Sequence, residues 1–215
     1  MSQITTQPNE NGAEETSILP SDPSRRFWVT TACAVGGVAG VATAVPFVGS
    51  FAPSAKARAA GAPVEVDIST LAPGEMRTVE WRGNPIWILH RTEAQLAALK
   101  TNDTDLADPN SDRPGFTPEY AKNEFRSRRP EIFVCIGICT HLGCSPTPRL
   151  DAGAQPGVPS SWTGGFLCPC HGSTFDLAGR VFSNKPAPDN LEVPPYEFSP
   201  DGSRVIIGVD DTHKG

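Results

Sequence analysis

The chain has 215 residues, of which 38% are hydrophobic and 20% are charged, a balance typical of a folded domain with attachments. Its 18 Lys and Arg against 24 Asp and Glu give a net charge of -6, and no basic stripe is interleaved with aromatic residues, which argues against nucleic-acid binding. The 20 Gly and 22 Pro residues favour a mainly β architecture over a helical bundle.

The first 26 residues predict a cytoplasmic tail that ends in an export signal. They are polar and acidic up to Ser24, and the paired Arg25 and Arg26 then precede an apolar run, as in a twin-arginine signal. Residues 27–51 contain no charged residue and are long enough, at about 1.5 Å each, to cross a hydrocarbon layer of about 30 Å. We therefore expect one transmembrane helix over residues 27–51.

The segment after the apolar run predicts a flexible hinge over residues 52–62, since small residues dominate it. Basic residues flank both ends of the helix, so charge alone does not orient it. The twin-arginine signal does, and it predicts a bacterial inner-membrane protein with a cytoplasmic N-terminus and a periplasmic head. Ala57-Arg58-Ala59 also matches a cleavage site, so a leader that is removed after export is the alternative.

The remaining residues, 63–215, predict an antiparallel β-sandwich with a short helical insertion. In the first strand, Val64 and Val66 alternate with acidic residues. Strands are predicted over residues 64–68, 76–82, 86–91, 131–137, 193–198 and 204–209. Helices are predicted over residues 92–100, where Thr92 opens a capping box, and over residues 117–128, where Thr117 is the cap.

Two short segments concentrate the metal-binding residue types. They are Cys139-Thr140-His141-Leu142-Gly143-Cys144 and Cys168-Pro169-Cys170-His171-Gly172-Ser173. Each segment supplies two Cys and one His within six residues, which indicates a metal site. A tetrahedral zinc site would use two Cys and two His, but it would leave two cysteines without a role.

These segments closely resemble the ligand loops of the Rieske iron-sulfur family, and the similarity covers about residues 63–215. The resemblance implies a cluster-binding subdomain inserted in the sandwich at about residues 136–183, with one [2Fe-2S] cluster. Position by position, it implies the following roles: Cys139 and Cys168 bind one iron, His141 and His171 bind the other, and Cys144 and Cys170 form a disulfide. Two imidazoles in place of two thiolates make the cluster less negative and raise its potential.

Three further features follow from the same resemblance. Ser173 is expected to donate a hydrogen bond to a cluster sulfur, and Leu142 and the proline-rich residues 185–188 are expected to cover the cluster. Phe175 stands where high-potential relatives carry a tyrosine that hydrogen bonds to a ligand cysteine. Because phenylalanine has no hydroxyl to donate, we expect a lower potential than in those relatives.

The function that the resemblance implies is that of the electron-transfer subunit of a cytochrome bc1 complex. In this function His171 faces ubiquinol, an electron and a proton are accepted, and the electron passes to cytochrome c1. The implied partners are cytochrome b, cytochrome c1, ubiquinol and the lipid bilayer, in a dimeric complex. The alternative is a cleaved periplasmic subunit of a soluble oxidoreductase such as arsenite oxidase. A catalytic oxygenase is disfavoured, because only His90 and His213 would remain for its second iron site.

Overall fold

The computed structural model describes residues 23–54, 61–101 and 105–209. The chain divides into two units, Met1–Ser54 and Ala55–Gly215. Most of the predicted cytoplasmic tail and residues 55–60 of the predicted hinge lie outside the described residues.

The described part of the first unit forms a helix, α1, over Pro23–Gly49. It begins four residues before the predicted transmembrane helix and ends two residues before its predicted end, so Arg25 and Arg26 lie in the first turns. An 18-residue window of α1 has a mean hydropathy of 1.7, and none of its residues is buried. By length and composition α1 is able to cross a membrane, although a signal sequence near an N-terminus has the same properties.

The second unit is mainly β, as predicted. Its elements are β1 (Val64–Asp67), β2 (Met76–Trp81), β3 (Asn84–His90), α2 (Glu93–Leu99), a 3-10 turn (Glu119–Ala121), β4 (Ile132–Ile136), β5 (Thr147–Arg149), β6 (Gly165–Leu167), β7 (Thr174–Asp176), β8 (Tyr196–Phe198) and β9 (Arg204–Ile207). They form three antiparallel sheets with the strand orders β1-β9-β8, β2-β3-β4 and β5-β6-β7.

The core of the second unit centres on β3 and β4. Every residue of β4 is buried, and Leu89 of β3 pairs with Phe133 of β4, both with no exposed surface. Burial of large apolar side chains of this kind is the dominant favourable contribution to folding. All six predicted strands are present, but the one predicted over residues 193–198 is reduced to β8, because Pro194 and Pro195 precede it and have no N–H for the ladder.

The third sheet, β5-β6-β7, was not predicted from the sequence. It lies between β4 and β8 in the chain, and both Cys/His segments connect to its strands. Phe166 of β6 stacks on Trp87 of β3, with ring centroids 5.1 Å apart. A Cβ at Gly137, just before the first Cys/His segment, would overlap the Trp87 ring, so only glycine fits there. Packing on Trp87 thus joins the third sheet to the core.

The two predicted helices of the insertion have different outcomes. Helix α2 is confirmed, and its capping box is complete: the Gln95 N–H donates to Thr92 Oγ1 at 3.2 Å, and the Thr92 N–H donates to Gln95 Oε1 at 2.9 Å. The helix predicted over residues 117–128 is wrong, since only the 3-10 turn at Glu119–Ala121 forms.

Side-chain and tertiary interactions interrupt that second helix. Asn123 Oδ1 accepts a hydrogen bond from the Phe125 N–H at 3.0 Å, which is a turn and not a helical pattern. Arg126 follows with a left-handed φ of 49°, and its side chain is fully buried. Local helix propensity is a weak preference that such tertiary contacts override.

Candidate metal centre

The two Cys/His segments have the same backbone hydrogen bonds. In the first, which we call loop 1 (Cys139–Cys144), the Cys139 N–H donates to the Cys144 carbonyl at 2.8 Å, and the Gly143 N–H donates to the Cys139 carbonyl at 3.1 Å. The second segment, loop 2 (Cys168–Ser173), repeats both bonds between equivalent residues. The Cys168 N–H donates to the Ser173 carbonyl at 2.8 Å, and the Gly172 N–H donates to the Cys168 carbonyl at 3.0 Å.

The glycine at the fifth position of each loop makes this turn possible. Gly143 and Gly172 have φ values of 80° and 74°, a left-handed conformation that favours glycine. The sequence C-x-x-x-G therefore specifies the loop locally. Two such loops supply one buried thiol each, because Cys139 and Cys168 are both only 2% exposed.

The two histidines occupy different positions in this shared loop. His141 stands third in loop 1 and is half-buried, whereas His171 stands fourth in loop 2 and is exposed. Leu142 is the fourth residue of loop 1, and it is also exposed, at 72%. The imidazole centroids of His141 and His171 lie 4.8 Å apart, with the rings at 87° to each other. Loop 2 therefore presents its histidine to solvent, whereas loop 1 presents a leucine at the same position.

The disulfide predicted between Cys144 and Cys170 is confirmed, with Cα atoms 6.7 Å apart. The Sγ atoms of these two residues and of Cys168 lie within 4.8 Å of one another. Because two of the three sulfurs belong to the disulfide, Cys168 is the thiol of this group that remains available to a metal. The bridge ties the end of loop 1 to the middle of loop 2.

Hydrogen bonds from neighbouring groups converge on the sulfur of Cys139. Burial raises the pKa of this thiol, while the His141 backbone N–H and the Ser173 hydroxyl, which both bond to its sulfur, act in the opposite direction. Ser173 Oγ also accepts a hydrogen bond from the Ala187 N–H at 2.9 Å. This bond joins the proline-rich segment (residues 185–188) to Ser173. The hydrogen bond expected from Ser173 to a cluster sulfur remains a prediction.

The donor atoms present fit a cluster with two thiolate and two imidazole ligands. His141 Nδ1 is buried and has no hydrogen-bond partner among the described residues, which suits a metal-ligand atom. Interaction with the Cys168 thiol is among the effects that raise the pKa of Cys139. The assignment of Cys139, His141, Cys168 and His171 as ligands remains a prediction that this geometry supports.

Phe175 lies in β7, directly beyond loop 2, and is fully buried opposite Phe166 of β6. Its place in the core explains why an aromatic side chain stands there without a polar group. The expected effect on the potential remains a prediction, which a tyrosine at this position would test.

Three buried arginines near the site were not predicted from the sequence. Arg91, Arg126 and Arg180 are each at most 1% exposed. Arginine is normally a surface residue, and no local pattern marks these three as buried, because each bonds to a carbonyl group at least 65 residues away in the chain, Arg180 in addition to Asp176. Sequence reasoning had no signal by which to find them.

Comparison with known families first gives the class of the domain. Residues 123–196 match the family described as Rieske [2Fe-2S] domain. The matched range contains both ligand loops, the third sheet and the proline-rich segment. The second unit therefore carries a Rieske domain, and the cofactor of this domain is a [2Fe-2S] cluster.

Comparison with individual proteins gives the family of the whole chain. The chain is 54% identical to the ubiquinol-cytochrome c reductase iron-sulfur subunit of Allochromatium vinosum, over 86% of this chain and 88% of that protein. It is 42% identical to the Bradyrhizobium diazoefficiens protein of the same name, over 86% and 95%, and 40% identical to that of Rhodospirillum rubrum, over 91% and 98%. The chain belongs to the family of ubiquinol-cytochrome c reductase iron-sulfur subunits.

Proposed function

We propose that this chain is the electron-transfer subunit of a cytochrome bc1 complex, active as an oxidoreductase component only within that complex. It accepts one electron and one proton from ubiquinol and passes the electron to cytochrome c1. Family membership supports the complex. The observation that carries the quinol step is the exposure of His171 next to the buried thiols of the same site.

Four side chains would hold the cofactor. Cys139 and Cys168 would bind one iron as thiolates, and His141 and His171 would bind the other through imidazole nitrogens. When bound, the [2Fe-2S] cluster supplies reversible one-electron chemistry at a potential raised by its two imidazole ligands. Burial raises the pKa of the Cys139 thiol, and hydrogen bonding by the His141 N–H and the Ser173 hydroxyl acts in the opposite direction, toward the thiolate.

The exposed imidazole of His171 is the group that meets the quinol. The ring nitrogen left outside the ligand set would, once it has lost its own proton, accept a hydrogen bond from the quinol hydroxyl and then hold the transferred proton. Leu142, also exposed at the equivalent position of loop 1, would add an apolar surface that excludes water when a partner docks. Cytochrome b would form the opposite wall of the quinol site.

Helix α1 would anchor the subunit in the bacterial inner membrane, with a cytoplasmic N-terminus and a periplasmic head. The twin arginines in its first turns and the Cys144–Cys170 disulfide, which suits an oxidising compartment, support this orientation. Residues 52–62 would act as a hinge that lets the head reach cytochrome c1. A tether makes that second encounter intramolecular and so raises its effective concentration, in each half of a dimeric complex.

An inhibitor of the quinol site tests the proposal directly. In the assembled complex, binding of such an inhibitor is expected to change the electron paramagnetic resonance (EPR) spectrum of the reduced cluster, because the inhibitor contacts His171. An unchanged spectrum would contradict the quinol step. Mass spectrometry of the N-terminus separates the anchored subunit from the alternative, the cleaved subunit of a soluble oxidoreductase.

A further inference from the structure

The turn Asp176–Arg180, which follows β7, is held by buried charged groups. The Asp176 carboxylate accepts hydrogen bonds from the Ala178 N–H at 2.9 Å and from the Arg180 N–H at 2.8 Å. It also accepts one from the Arg180 guanidinium at 2.7 Å. The carbonyl of Leu177 accepts a hydrogen bond from Arg91 at 3.2 Å, and that of Ala178 accepts one from Arg126 at 2.9 Å. The polar groups of the turn are thus hydrogen bonded to buried charged side chains.

Among these groups, Arg126 bonds to three separate segments of the chain. Besides Ala178, its guanidinium donates to the Leu191 carbonyl and to Thr117 Oγ1, both at 2.7 Å. These partners lie 52, 65 and 9 residues away in sequence, so one side chain joins the turn, the segment after the proline-rich loop and the helical insertion.

The backbone of Arg126 shows that this arrangement is imposed by its surroundings. Its φ of 49° is unfavourable for a residue with a side chain, and its guanidinium is fully buried. Burial lowers the pKa of Arg126 to about 10, which still leaves the side chain charged at neutral pH. A strained backbone and a buried charge both cost free energy, and they persist only where the contacts compensate.

Both segments that Arg126 holds lead back to the metal centre. The turn closes a hairpin in which the Phe182 N–H donates to the Thr174 carbonyl at 3.1 Å, and Ser173 directly precedes this hairpin. Leu191 comes three residues after Pro188, the last residue of the proline-rich segment, whose Ala187 N–H bonds to Ser173 Oγ. Arg126 therefore fixes the far ends of the two segments that meet at Ser173.

We propose that Arg126 is a positioning residue for the electron-transfer site: it holds the 176–180 turn against Leu191, and this keeps the Ser173 hydroxyl, which accepts a hydrogen bond from the Ala187 N–H, in position to donate one to a cluster sulfur. The inference rests on the proposed function, since it concerns the potential of the same cluster. A hydrogen bond to a cluster sulfur stabilises the more negative, reduced state, so a displaced Ser173 lowers the midpoint potential.

The test is an EPR-monitored redox titration of membranes that contain the assembled complex, with Arg126→Lys and Arg126→Met. Lysine keeps the charge but cannot bond in the same planar, forked geometry. We expect both variants to lower the equilibrium constant for reduction at least threefold, which is about 28 mV at 59 mV per tenfold for a one-electron couple. Wild-type potential in both variants, or in the lysine variant alone, would overturn the inference, the latter because charge alone would then suffice.

Arg129→Lys is the matched control. Arg129 lies in the same segment, but its side chain is 40% exposed, and it binds Glu131 and the Gly202 carbonyl, which belong to neither ligand loop. Its substitution is expected to leave the potential unchanged. An equal shift in Arg129→Lys would show that any change in this segment moves the potential, and would contradict a specific role for Arg126.

A second variant moves Arg126 without changing it. Gly179 has a φ of +68°, and a Cβ there would lie 2.9 Å from the Phe133 ring and 3.1 Å from Arg126 Nη1. Gly179→Ala is thus expected to lower the midpoint potential as well. If the Arg126 variants do not accumulate, the potential of Gly179→Ala tests the role of Arg126 in their place. Failure of all three variants to fold would reduce Arg126 to a structural residue and overturn the inference.

A double-mutant cycle tests the route through Ser173. Ser173→Ala alone is expected to lower the potential, and Arg126→Lys in that background should add less than a third of its own shift. Full additivity would overturn the route. The unaltered chain is the control for the proposed function, which requires a Rieske-type EPR signal from it whatever the variants do. Absence of that signal would contradict the proposed function, whereas the variants test the role of Arg126.

Discussion

Loop 1 and loop 2 have the same backbone hydrogen bonds but expose different side chains. Each has a buried cysteine first and a left-handed glycine fifth, and the same two hydrogen bonds close both loops. In both, the fourth residue is exposed, and it is Leu142 in loop 1 but His171 in loop 2. The position of the histidine within the same turn therefore decides which imidazole is accessible to a partner.

The first cysteine of each loop should be equally indispensable if the two loops are equivalent. Cys139→Ser and Cys168→Ser are each expected to abolish the EPR signal of the cluster, because each removes one of two thiolate ligands. Cys135→Ala is the matched control, since Cys135 is a fully buried cysteine in β4 and its pKa is raised to about 12 by burial, as expected of an inert thiol. An EPR signal that persists in either variant would show that the two cysteines are not equivalent ligands.

The disulfide links the two loops and so should contribute the same free energy from either end. It closes a loop of 26 residues, for which the chain-entropy model gives about 3.5 kcal/mol. Cys144→Ala and Cys170→Ala are each expected to lower the free energy of unfolding by roughly this amount, measured by denaturation in guanidinium chloride. Clearly unequal losses would show that one sulfur has a further role outside the bridge.

Leu142 occupies the exposed fourth position of loop 1, which corresponds to His171 in loop 2. Leu142→Asn should leave the free energy of unfolding within about 0.5 kcal/mol, since the side chain is 72% exposed. Quinol-cytochrome c reductase activity should fall roughly tenfold, because docking would no longer bury an apolar side chain worth about 1.5 kcal/mol. Assays of isolated membranes, with the amount of cluster fixed by EPR, measure this. Undiminished activity would show that Leu142 does not lie in the interface with a partner.

The smallest effect concerns Phe175, the aromatic residue next to loop 2. Phe175→Tyr adds a hydroxyl that can donate to a ligand sulfur, and a hydrogen bond of about 1 kcal/mol corresponds to roughly 40 mV for a one-electron couple. The midpoint potential should therefore rise by about this amount in voltammetry. An unchanged potential would show that the absent hydroxyl is not what sets the potential of this cluster.

The loops could be predicted from the sequence because their determinants are local. Cys, His and Gly at fixed spacing specify the turn, and the capping box at Thr92 likewise specifies the start of α2. The strands of the core were predictable for the same reason, since alternating or continuous apolar residues mark them.

What could not be predicted depends on residues far apart in the chain. The helix expected over residues 117–128 is replaced by a turn because Arg126 bonds to carbonyls 52 and 65 residues away. The sheet β5-β6-β7 has strands of only three residues, too short for a period to show. Long-range partners leave no local pattern.

The most direct test of the whole account is low-temperature EPR of reduced membranes from cells that produce this chain, before and after a wash at high salt. We predict a Rieske-type signal that stays with the membrane and is absent from a Cys168→Ser strain. A signal released by the wash would contradict the membrane anchor, and zinc in place of a signal would contradict the cluster itself.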